Sequence, residues 1–400
     1  MLNLSLGLSL GSLATTRGGS AASRLLNLIK NDTGTALIWD YAKTDRRFAE
    51  PIGGANPVAS GDVVGLDLDS SKWGGKTLAQ VIADQPELTL NGGLDGAANW
   101  SARGESSISG GIARVKTTDG SYSAIEQVRP LAFKPMTLYA VQFDLLEVIA
   151  GQVALDLYGT STVLVPGGVG RKTVLVRTPA FPGDVIPSPA LFSIKRFQNS
   201  VPAEFTIDNI SIKEIPGNHA RQGTGSSKPK WQAGPKPFLL FDGVDDQLDT
   251  ELIPNAAGTM AIAFRSTAPK STSQFALAGG ETTGDKRARI GIDNTGRPSV
   301  SLNNAYNVVN GNYFDQDLIM VQTWGGGRRR CYLHSLPELK FLDDAFTANT
   351  NGTGNVYKIG TLELGGERLI GRVYGALIRS VQTSDADVRN IILPAFKGLF

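Results

Sequence analysis

The stretch FDGVDD, residues 241–246, follows a short apolar run and places three carboxylates within five residues. Calcium takes carboxylate and carbonyl ligands from loops, whereas Asp side chains also cap the tight turns at which strands begin. The spacing of these acids, and of Asp249 after them, differs from that of an EF-hand loop. We therefore interpret Phe241 as a core residue and the acids as a solvated turn. Calcium binding is the alternative, and no other cofactor is expected.

Length, charge and residue usage restrict the class of protein. Four hundred residues exceed one usual core, so two or three domains are expected. The net charge of +2 argues against general nucleic-acid binding, which needs a basic face. A total of 47 Gly and 20 Pro suits short strands joined by tight turns. One cysteine excludes an internal disulfide. No apolar run approaches the roughly 20 residues that span a bilayer, so we expect no membrane insertion.

Leucine occupies every even position from 2 to 10, between Asn and small residues. A period of two predicts a strand with one leucine face, and a lone apolar strand needs a partner. No basic residue precedes Arg17, so we expect no export signal. We predict that residues 1–30 form an attachment or oligomerisation segment, with a short helix near residues 23–30. The alternative is an edge strand of the first domain.

Short alternating apolar runs fill residues 88–215 and resume after the polar, turn-rich residues 216–237. Strands at this spacing predict an all-β fold of antiparallel sandwiches. Near the end of the first region, the pair Phe205 and Ile207 is out of phase with the pair Ile210 and Ile212. A bulge between the pairs would keep all four side chains on the core face, so we predict one there.

Helices are expected to be few, and the strongest helix start lies near the carboxyl terminus. Ser384 is a suitable N-cap, because Asp387 stands three residues later and acidic residues favour the first turn of a helix. We therefore predict a terminal helix after Ser384.

The residues that catalysis would need are sparse. Only His219 and His334 offer an imidazole, and no G-x-S-x-G motif stands at a strand-to-helix turn. Asp67 and Asp69 share one face of a predicted half-exposed strand, and they come nearest to the carboxylate pair of a glycosidase. Two scattered His and one Cys disfavour zinc. We expect no enzymatic activity.

Aromatic side chains in polar loops indicate sugar binding. Rings stack on the C–H faces of sugars, while amide, carboxylate and guanidinium groups bond the hydroxyls. The candidate carbohydrate-binding residues are Trp100, Tyr122, Tyr158, Tyr306, Tyr313 and Arg329. The alternative for each ring is that it anchors its own loop to the core.

Two resemblances sharpen these expectations. FDGVDDQLDT, together with the glycine-rich pair and Ser-Asp helix near the end, resembles the laminin-G/concanavalin-A-like sandwich domains of bacteriophage structural proteins. LTLNGGLDGAANWSARG and FTIDNISIKEI resemble the opening and closing strands of a carbohydrate-binding-module-like jelly roll. The resemblances imply a sandwich made of residues 31–85 plus 216–400, with a jelly roll of residues 86–215 inserted into it.

The resemblance also implies a role. It indicates a non-catalytic bacteriophage virion protein, a tail-fibre, head-fibre or spike component that contacts host-surface polysaccharide. Such a protein is made in the host cytoplasm and displayed on the virion surface. Residues 1–30 would join it to other virion proteins, and a homo-oligomer, with a trimer favoured, is expected. The alternatives are a purely structural head-decoration or tail-collar protein, and a polysaccharide depolymerase.

Overall fold

The structure is a computed structural model, and antiparallel sheets dominate it, so the predicted all-β class is confirmed. The leucine-rich start, and with it the predicted attachment strand, lies outside the described residues. The described residues are 20–32, 34–38, 44–50, 53–96, 98–127, 133–157, 161–179, 192–197, 199, 201–280, 287–302, 305–336, 338–346, 355–362 and 367–400.

Two large sheets, A and B, face each other. Sheet A has eight strands, namely β1 (Thr35–Ile38), β16 (Lys230–Gln232), β17 (Phe238–Asp242), β19 (Gly258–Ser266), β24 (Leu318–Gly325), β25 (Arg328–Leu333), β26 (Lys340–Ala345) and β28 (Ile370–Arg379). Sheet B has ten strands, namely β2 (Arg47–Glu50), β3 (Gly53–Pro57), β4 (Leu66–Asp67), β15 (Ala220–Arg221), β18 (Leu248–Asp249), β20 (Gln274–Gly280), β21 (Arg287–Ile292), β22 (Pro298–Leu302), β23 (Ala305–Val308) and β27 (Asn355–Ile359).

Two smaller sheets, C and D, form a second sandwich. Sheet C contains β5 (Trp100–Arg103), β8 (Ala124–Gln127), β10 (Val153–Leu157), β11 (Ser161–Leu164) and β13 (Phe192–Arg196). Sheet D contains β6 (Ser107–Ser109), β7 (Ile112–Thr117), β9 (Leu138–Ala150), β12 (Gly170–Arg177) and β14 (Ala203–Glu214).

Strands that are distant in sequence complete sheets A and B. Along one side of β28, β17 pairs with the first part of the strand and β1 with the last part. In sheet B, β4 pairs with β15, which lies after sheets C and D in the chain. Segments before and after the second sandwich therefore share hydrogen-bond ladders. The exact limits of the domains along the chain stay a prediction.

Helices are short and few. They are α1 (Ala21–Ile29), α2 (Leu78–Asp84), α3 (Asp385–Asp387) and α4 (Leu393–Lys397), with π-helical turns over Val388–Ile392 and 3₁₀ turns over Thr44–Arg46 and Gly225–Ser227. Helix α1 confirms the helix expected near residues 23–30. The Ser384 hydroxyl accepts the backbone N–H of Asp387, so the predicted terminal N-cap is also confirmed. Within the described ranges, no helix has the length and apolarity to cross a membrane.

Four apolar clusters hold these layers together. One fills the space between sheets A and B and contains Phe241, Phe264 and Trp324. A second fills the space between sheets C and D. Helix α1 and the terminal helices cover the outer face of sheet A. The fourth cluster joins the two sandwiches, where Leu66 and the α2 residues pack against Leu138 of sheet D.

The predicted bulge in β14 is confirmed. The pairing of β14 with β9 shifts register between Asp208 and Ser211, and Asn209 has a φ of 52°. Asn tolerates this left-handed conformation better than most residues. The shift keeps the apolar pairs on either side of the bulge buried in one core, namely Phe205, Ile207, Ile210 and Ile212.

The FDGVDD stretch forms the end of β17 and the turn after it. Phe241 is a core residue, as predicted. Gly243 has a φ of +75°, and a Cβ there would lie 2.1 Å from the Ile370 side chain, so only glycine fits. The prediction that the acids of this turn are solvated was wrong for Asp246. This residue is buried, and its Oδ2 accepts the backbone N–H of Asp242 at 2.9 Å. That contact closes the turn from the inside.

Candidate functional site

The structure places two of the predicted sugar-binding residues inside the protein. Trp100 is 3% exposed, and its indole N–H donates to the carbonyls of Leu90 and Asn91. Its ring packs edge-on against Phe192 in the core of the second sandwich. Trp100 therefore anchors its loop, which was the alternative interpretation. The prediction that it binds sugar was wrong, because its ring has no face open to a ligand.

Arg329 is likewise a buried residue. It is 2% exposed, its guanidinium forms two hydrogen bonds with the Asp344 carboxylate, and it donates a further one to the Ala305 carbonyl. It also lies over the Phe346 ring at 5.3 Å. These contacts join sheet A to the edge of sheet B. Arg329 therefore has a structural role in place of the predicted sugar contact.

The remaining candidates differ in exposure. Tyr158 lies outside the described residues, so its placement stays a prediction. Tyr313 is half-buried against the first core. Tyr122 and Tyr306 are 47% and 48% exposed; Tyr122 lies just before β8 of sheet C, and Tyr306 lies on β23 of sheet B. The five candidates within the described residues are therefore not brought together at one site.

Tyr122 stands at the edge of a polar surface on the outer face of sheet C. Directly opposed residues of antiparallel strands share a face of the sheet. One row of such residues across this sheet is Ser101, Glu126, Ser193 and Asp156. The next row on the same face is Arg103, Ala124, Lys195 and Ala154. The intervening positions point into the core, as Ile125, Ile194 and Leu155 do.

Six side chains form what we call the sheet C patch, namely Arg103, Tyr122, Glu126, Asp156, Ser193 and Lys195. Glu126, Asp156 and Ser193 are buried beneath it, so Arg103, Tyr122 and Lys195 supply the part that a ligand can reach. The Tyr122 hydroxyl donates to Glu126 Oε1 at 2.8 Å, and Arg103 Nε donates to Glu126 Oε2 at 2.7 Å. Lys195 forms an ion pair with Asp156. The two cations match the two carboxylates in number, so the patch is polar with no excess charge.

The phenol of Tyr122 is a neutral hydrogen-bonding group at working pH. Burial of the hydroxyl, followed by its bond to Glu126, raises the pKa of Tyr122 to about 12, while a contact with the Ser193 hydroxyl opposes the shift. Its ring nevertheless remains about half exposed. The patch therefore offers a ring held by its hydroxyl, beside the exposed Arg103 and the partly exposed Lys195. This combination suits a sugar, whose C–H face stacks and whose hydroxyls donate and accept.

Sequence reasoning found Tyr122 but missed the groups around it. Glu126 stands four residues after Tyr122, which was a usable signal. Ser193 and Asp156 lie 67 and 30 residues further along the chain than Glu126, counted from their numbers. Only the strand order of sheet C brings them beside it, and no local pattern encodes that order.

The acidic pair proposed for a glycosidase lies elsewhere and is buried. Asp67 and Asp69 are 2% and 0% exposed, so the prediction that they lie on a half-exposed strand was wrong. Asp69 accepts the backbone N–H groups of Leu37, Ser71 and Asn218. Burial raises its pKa to about 6, against the lowering effect of these bonds. Asp69 therefore holds segments together where the chain leaves and rejoins the first sandwich.

The two histidines are also structural. His219 is buried, and its Nδ1 accepts the backbone N–H of Asp69 at 3.0 Å. Burial lowers its pKa to about 4, so the ring is neutral near pH 7. His334 Nδ1 accepts the backbone N–H of Ile319 at 2.8 Å.

The acids of FDGVDD are the candidate calcium ligands. One carboxylate oxygen from each of Asp242, Asp245 and Asp246 lies within 4.8 Å of the others. Burial, and then the charges of its two neighbours, raise the pKa of Asp246 to about 6, while the Asp242 N–H opposes the shift. Asp242 Oδ1 accepts the N–H of Val244 at 2.7 Å, which is an Asx turn. The group thus resembles a capped turn as much as a metal site.

We expect the acidic turn to be stable without metal. Its oxygens already accept backbone N–H groups, so removing divalent cations with a chelator should leave the melting temperature unchanged within about 1 °C. Thermal denaturation with chelator and with millimolar calcium measures this. A rise in melting temperature with calcium that is lost in Asp245→Asn would show instead that the turn is a calcium site.

Comparisons with known proteins do not assign this chain to a family. No family model and no curated protein matches the chain. Among solved structures, the CBM40 of the Ruminococcus gnavus IT-sialidase, bound to α2,3-sialyllactose, is 14% identical, with a TM-score of 0.29 over 35% of this chain and 83% of that one. Trypanosoma rangeli sialidase, in complex with the inhibitor DANA, is 10% identical, with a TM-score of 0.32 over 72% of this chain and 61% of that one. Superpositions this loose assign the chain to neither group.

The fold and the site together define a class rather than a family. The described residues form an all-β protein of antiparallel sheets, with a polar, ring-bearing patch on the outer face of one of them.

Proposed function

We propose that this protein binds glycan without cleaving it, as a fibre or spike component on the surface of a bacteriophage virion. The observation that carries the binding proposal is the half-exposed Tyr122 ring, held by its hydroxyl on Glu126 beside Arg103, Ser193 and Lys195. Such a surface pairs apolar stacking with fixed hydrogen-bonding groups, which is what recognition of a sugar requires. Host-surface polysaccharide is the proposed ligand.

Tyr122→Ala should remove most of this binding. Loss of the stacking face and of one hydroxyl should weaken retention on host cells or their purified polysaccharide by about tenfold or more. Tyr122→Phe keeps the ring, so its retention should fall less than that of Tyr122→Ala. Phe197→Ala is a matched control, because it removes a ring of 37% exposure from the same sandwich outside the patch.

Retention of purified protein on a polysaccharide column measures these effects. Equal retention of Tyr122→Ala and wild type would contradict the patch as the binding surface. No retention of the wild type on any host glycan would favour the alternative of a head-decoration or tail-collar protein without ligand.

The virion location is proposed from the sequence. It is supported by the resemblance to phage sandwich domains and by the alternating leucines before Arg17. Residues 1–30 would dock the protein on other virion proteins and would join copies, with a trimer favoured. Because an apolar strand needs a partner strand, this segment suits such an assembly.

Deletion of residues 1–19 should leave a folded, soluble protein that no longer joins particles. Helix α1 keeps its own N-cap in this variant, because the Ser20 hydroxyl accepts the N–H of Ser23. Co-sedimentation of the variant with assembling particles is the measurement. Incorporation at the wild-type level would contradict docking through this segment.

One observation keeps a depolymerase as the second candidate. Glu126 and Asp156 lie on one face with only β13 between their strands. Two strand spacings put their Cα atoms about 10 Å apart, near the carboxylate separation of inverting glycosidases. Each carboxylate, however, is held by a cation, which favours binding over catalysis. Reducing-end release from host polysaccharide that Glu126→Gln abolishes would establish the enzyme instead.

A further inference from the structure

We propose that the groove between helices α1 and α4 binds the leucine-rich segment that precedes Ser20 in the same chain. Leu10 and Leu13 fill this groove in the free protein. The proposal depends neither on glycan binding nor on the virion location, because it concerns only how the chain covers its own apolar segment. It gives that segment the apolar contact that a row of leucines needs in water.

The groove has a volume of about 480 Å³ and opens between the first two turns of α1 and the end of α4. These helices cover the outer face of sheet A. All the apolar side chains that line the groove are half-buried except Ala395, so their outer surface is open to an occupant. They are Ala21, Ala22, Leu26, Pro394, Ala395 and Leu399.

The polar side chains that line the groove already have partners in the fold. The hydroxyls of Ser20 and Ser23 lie 3.0 Å apart. Ser70 Oγ and Arg46 Nη2 each donate to a backbone carbonyl, at 3.1 and 3.3 Å. Arg46 is 2% exposed, and its guanidinium lies over the Trp73 ring at 4.9 Å. An apolar occupant therefore breaks no hydrogen bond of these groups, and the groove favours apolar side chains over polar ones.

Residues 1–19 form the apolar segment that begins at this groove. Ser20 is exposed and lines the groove, so the chain before it starts there. Gly18 and Gly19 allow the chain to reverse direction, because glycine adopts both signs of φ. Leu13 stands seven residues before Ser20, and an extended chain of that length spans roughly 23 Å. A chain that turns back at the two glycines can therefore place Leu10 and Leu13 between the helices.

The size and charge of the segment fit the groove. A cavity of roughly 150 Å³ holds benzene, which is larger than a leucine side chain, so 480 Å³ has room for two leucines. Residues 2–13 contain no charged side chain, so docking buries no charge. The segment is also tethered at the groove, which gives it an effective concentration of about millimolar over a short linker. This tether favours the segment of the same chain over that of a second copy.

Hydrogen exchange of the full chain tests the proposal from the side of the segment. In Leu10→Asp/Leu13→Asp, two charges replace the two apolar side chains, so the segment should leave the groove. Exchange in residues 393–399 should then be about tenfold faster than in wild type, because the docked leucines no longer oppose local opening of α4. Asn3→Asp/Ser5→Asp is the matched control. It adds the same two charges between leucines and should exchange like wild type.

Ala22→Asp tests the proposal from the side of the groove. Its carboxylate stands in the first turn of α1, where the helix dipole favours an acid, so the helix should form. The charge opposes leucine docking, and exchange in residues 393–399 should again be faster than in wild type. Arg24→Asp is the matched control, because it places the same group in the same turn at an exposed position outside the groove. Where Ala22→Asp fails to fold, Leu10→Asp/Leu13→Asp decides alone.

Two results would overturn the proposal. One is exchange in residues 393–399 of Leu10→Asp/Leu13→Asp at the wild-type rate, or at the rate of its control. The other is protection of these residues in wild type that disappears on dilution, which would show docking between copies. Retention on polysaccharide and joining of particles are separate measurements, so a failure here leaves the proposed function untouched.

Discussion

Asp69→Ala should lower the free energy of unfolding of this protein by about 4 kcal/mol. The side chain accepts the buried N–H groups of Leu37, Ser71 and Asn218 at 2.7 to 2.8 Å. Alanine leaves all three without an acceptor, and each such loss costs about 1–3 kcal/mol. Two of the donors lie in segments before the second sandwich and one lies after it, so the variant tests how the interrupted sandwich is closed.

The pH dependence of this effect has a definite sign. Burial raises the pKa of Asp69 from 3.8 to about 6 in the folded protein. A group with a raised folded pKa contributes its full stability below its unfolded pKa, and the contribution falls as pH rises through the folded value. The gap between wild type and Asp69→Ala should therefore be larger at pH 4 than at pH 7.

Urea denaturation at both pH values measures the Asp69 effect. Asp69→Asn is the matched control, because its carbonyl oxygen still serves Leu37 and Ser71 while its NH₂ opposes the Asn218 N–H. It should lose less stability than the alanine variant. One lost hydrogen bond of this kind costs about 1 kcal/mol or more. If the free energy of unfolding of Asp69→Ala lay within about 1 kcal/mol of the wild-type value, Asp69 would not hold these segments together.

Trp324→Ala, in the core of the first sandwich, should also lower the free energy of unfolding by about 4 kcal/mol. The ring is fully buried, its Nε1 donates to the Asn255 carbonyl at 2.8 Å, and it lies against Gly258 of the neighbouring strand. A Cβ at position 258 would stand 2.2 Å from the ring, so Gly258→Ala should also destabilise, by overpacking.

The two substitutions should be coupled, because they act on one contact. Trp324→Phe shortens the ring and makes room, so Gly258→Ala should cost less in that background than in wild type. Chemical denaturation of the four proteins in the cycle gives the coupling free energy. Simple additivity would contradict the packing of Trp324 on Gly258.

Local features of the fold were predictable from the sequence. The Ser384 N-cap needs only residues within one turn, and the β14 bulge needs only the phase of four apolar residues. Both signals lie inside one element, so alternation and capping chemistry suffice. Phe241 at the end of an apolar run followed the same logic. Each of these three expectations agrees with the structure.

The site was less predictable, because burial depends on partners far along the chain. Trp100 and Arg329 both stand among polar residues, yet each is covered by a neighbouring strand or loop. The Asp246 side chain points inward, where it accepts the backbone N–H of Asp242. Conversely, Glu126 and Asp156 meet on one face only through the order of the strands in sheet C. Residue spacing alone carries none of this information.

The central claim is that the sheet C patch binds host glycan, and hydrogen exchange with and without host polysaccharide tests it most directly. The account predicts slower exchange in residues 121–127 and 192–196 when polysaccharide is added, and the same exchange as free protein in Tyr122→Ala. Unchanged exchange in these two segments, in a protein that the polysaccharide nevertheless retains, would contradict it.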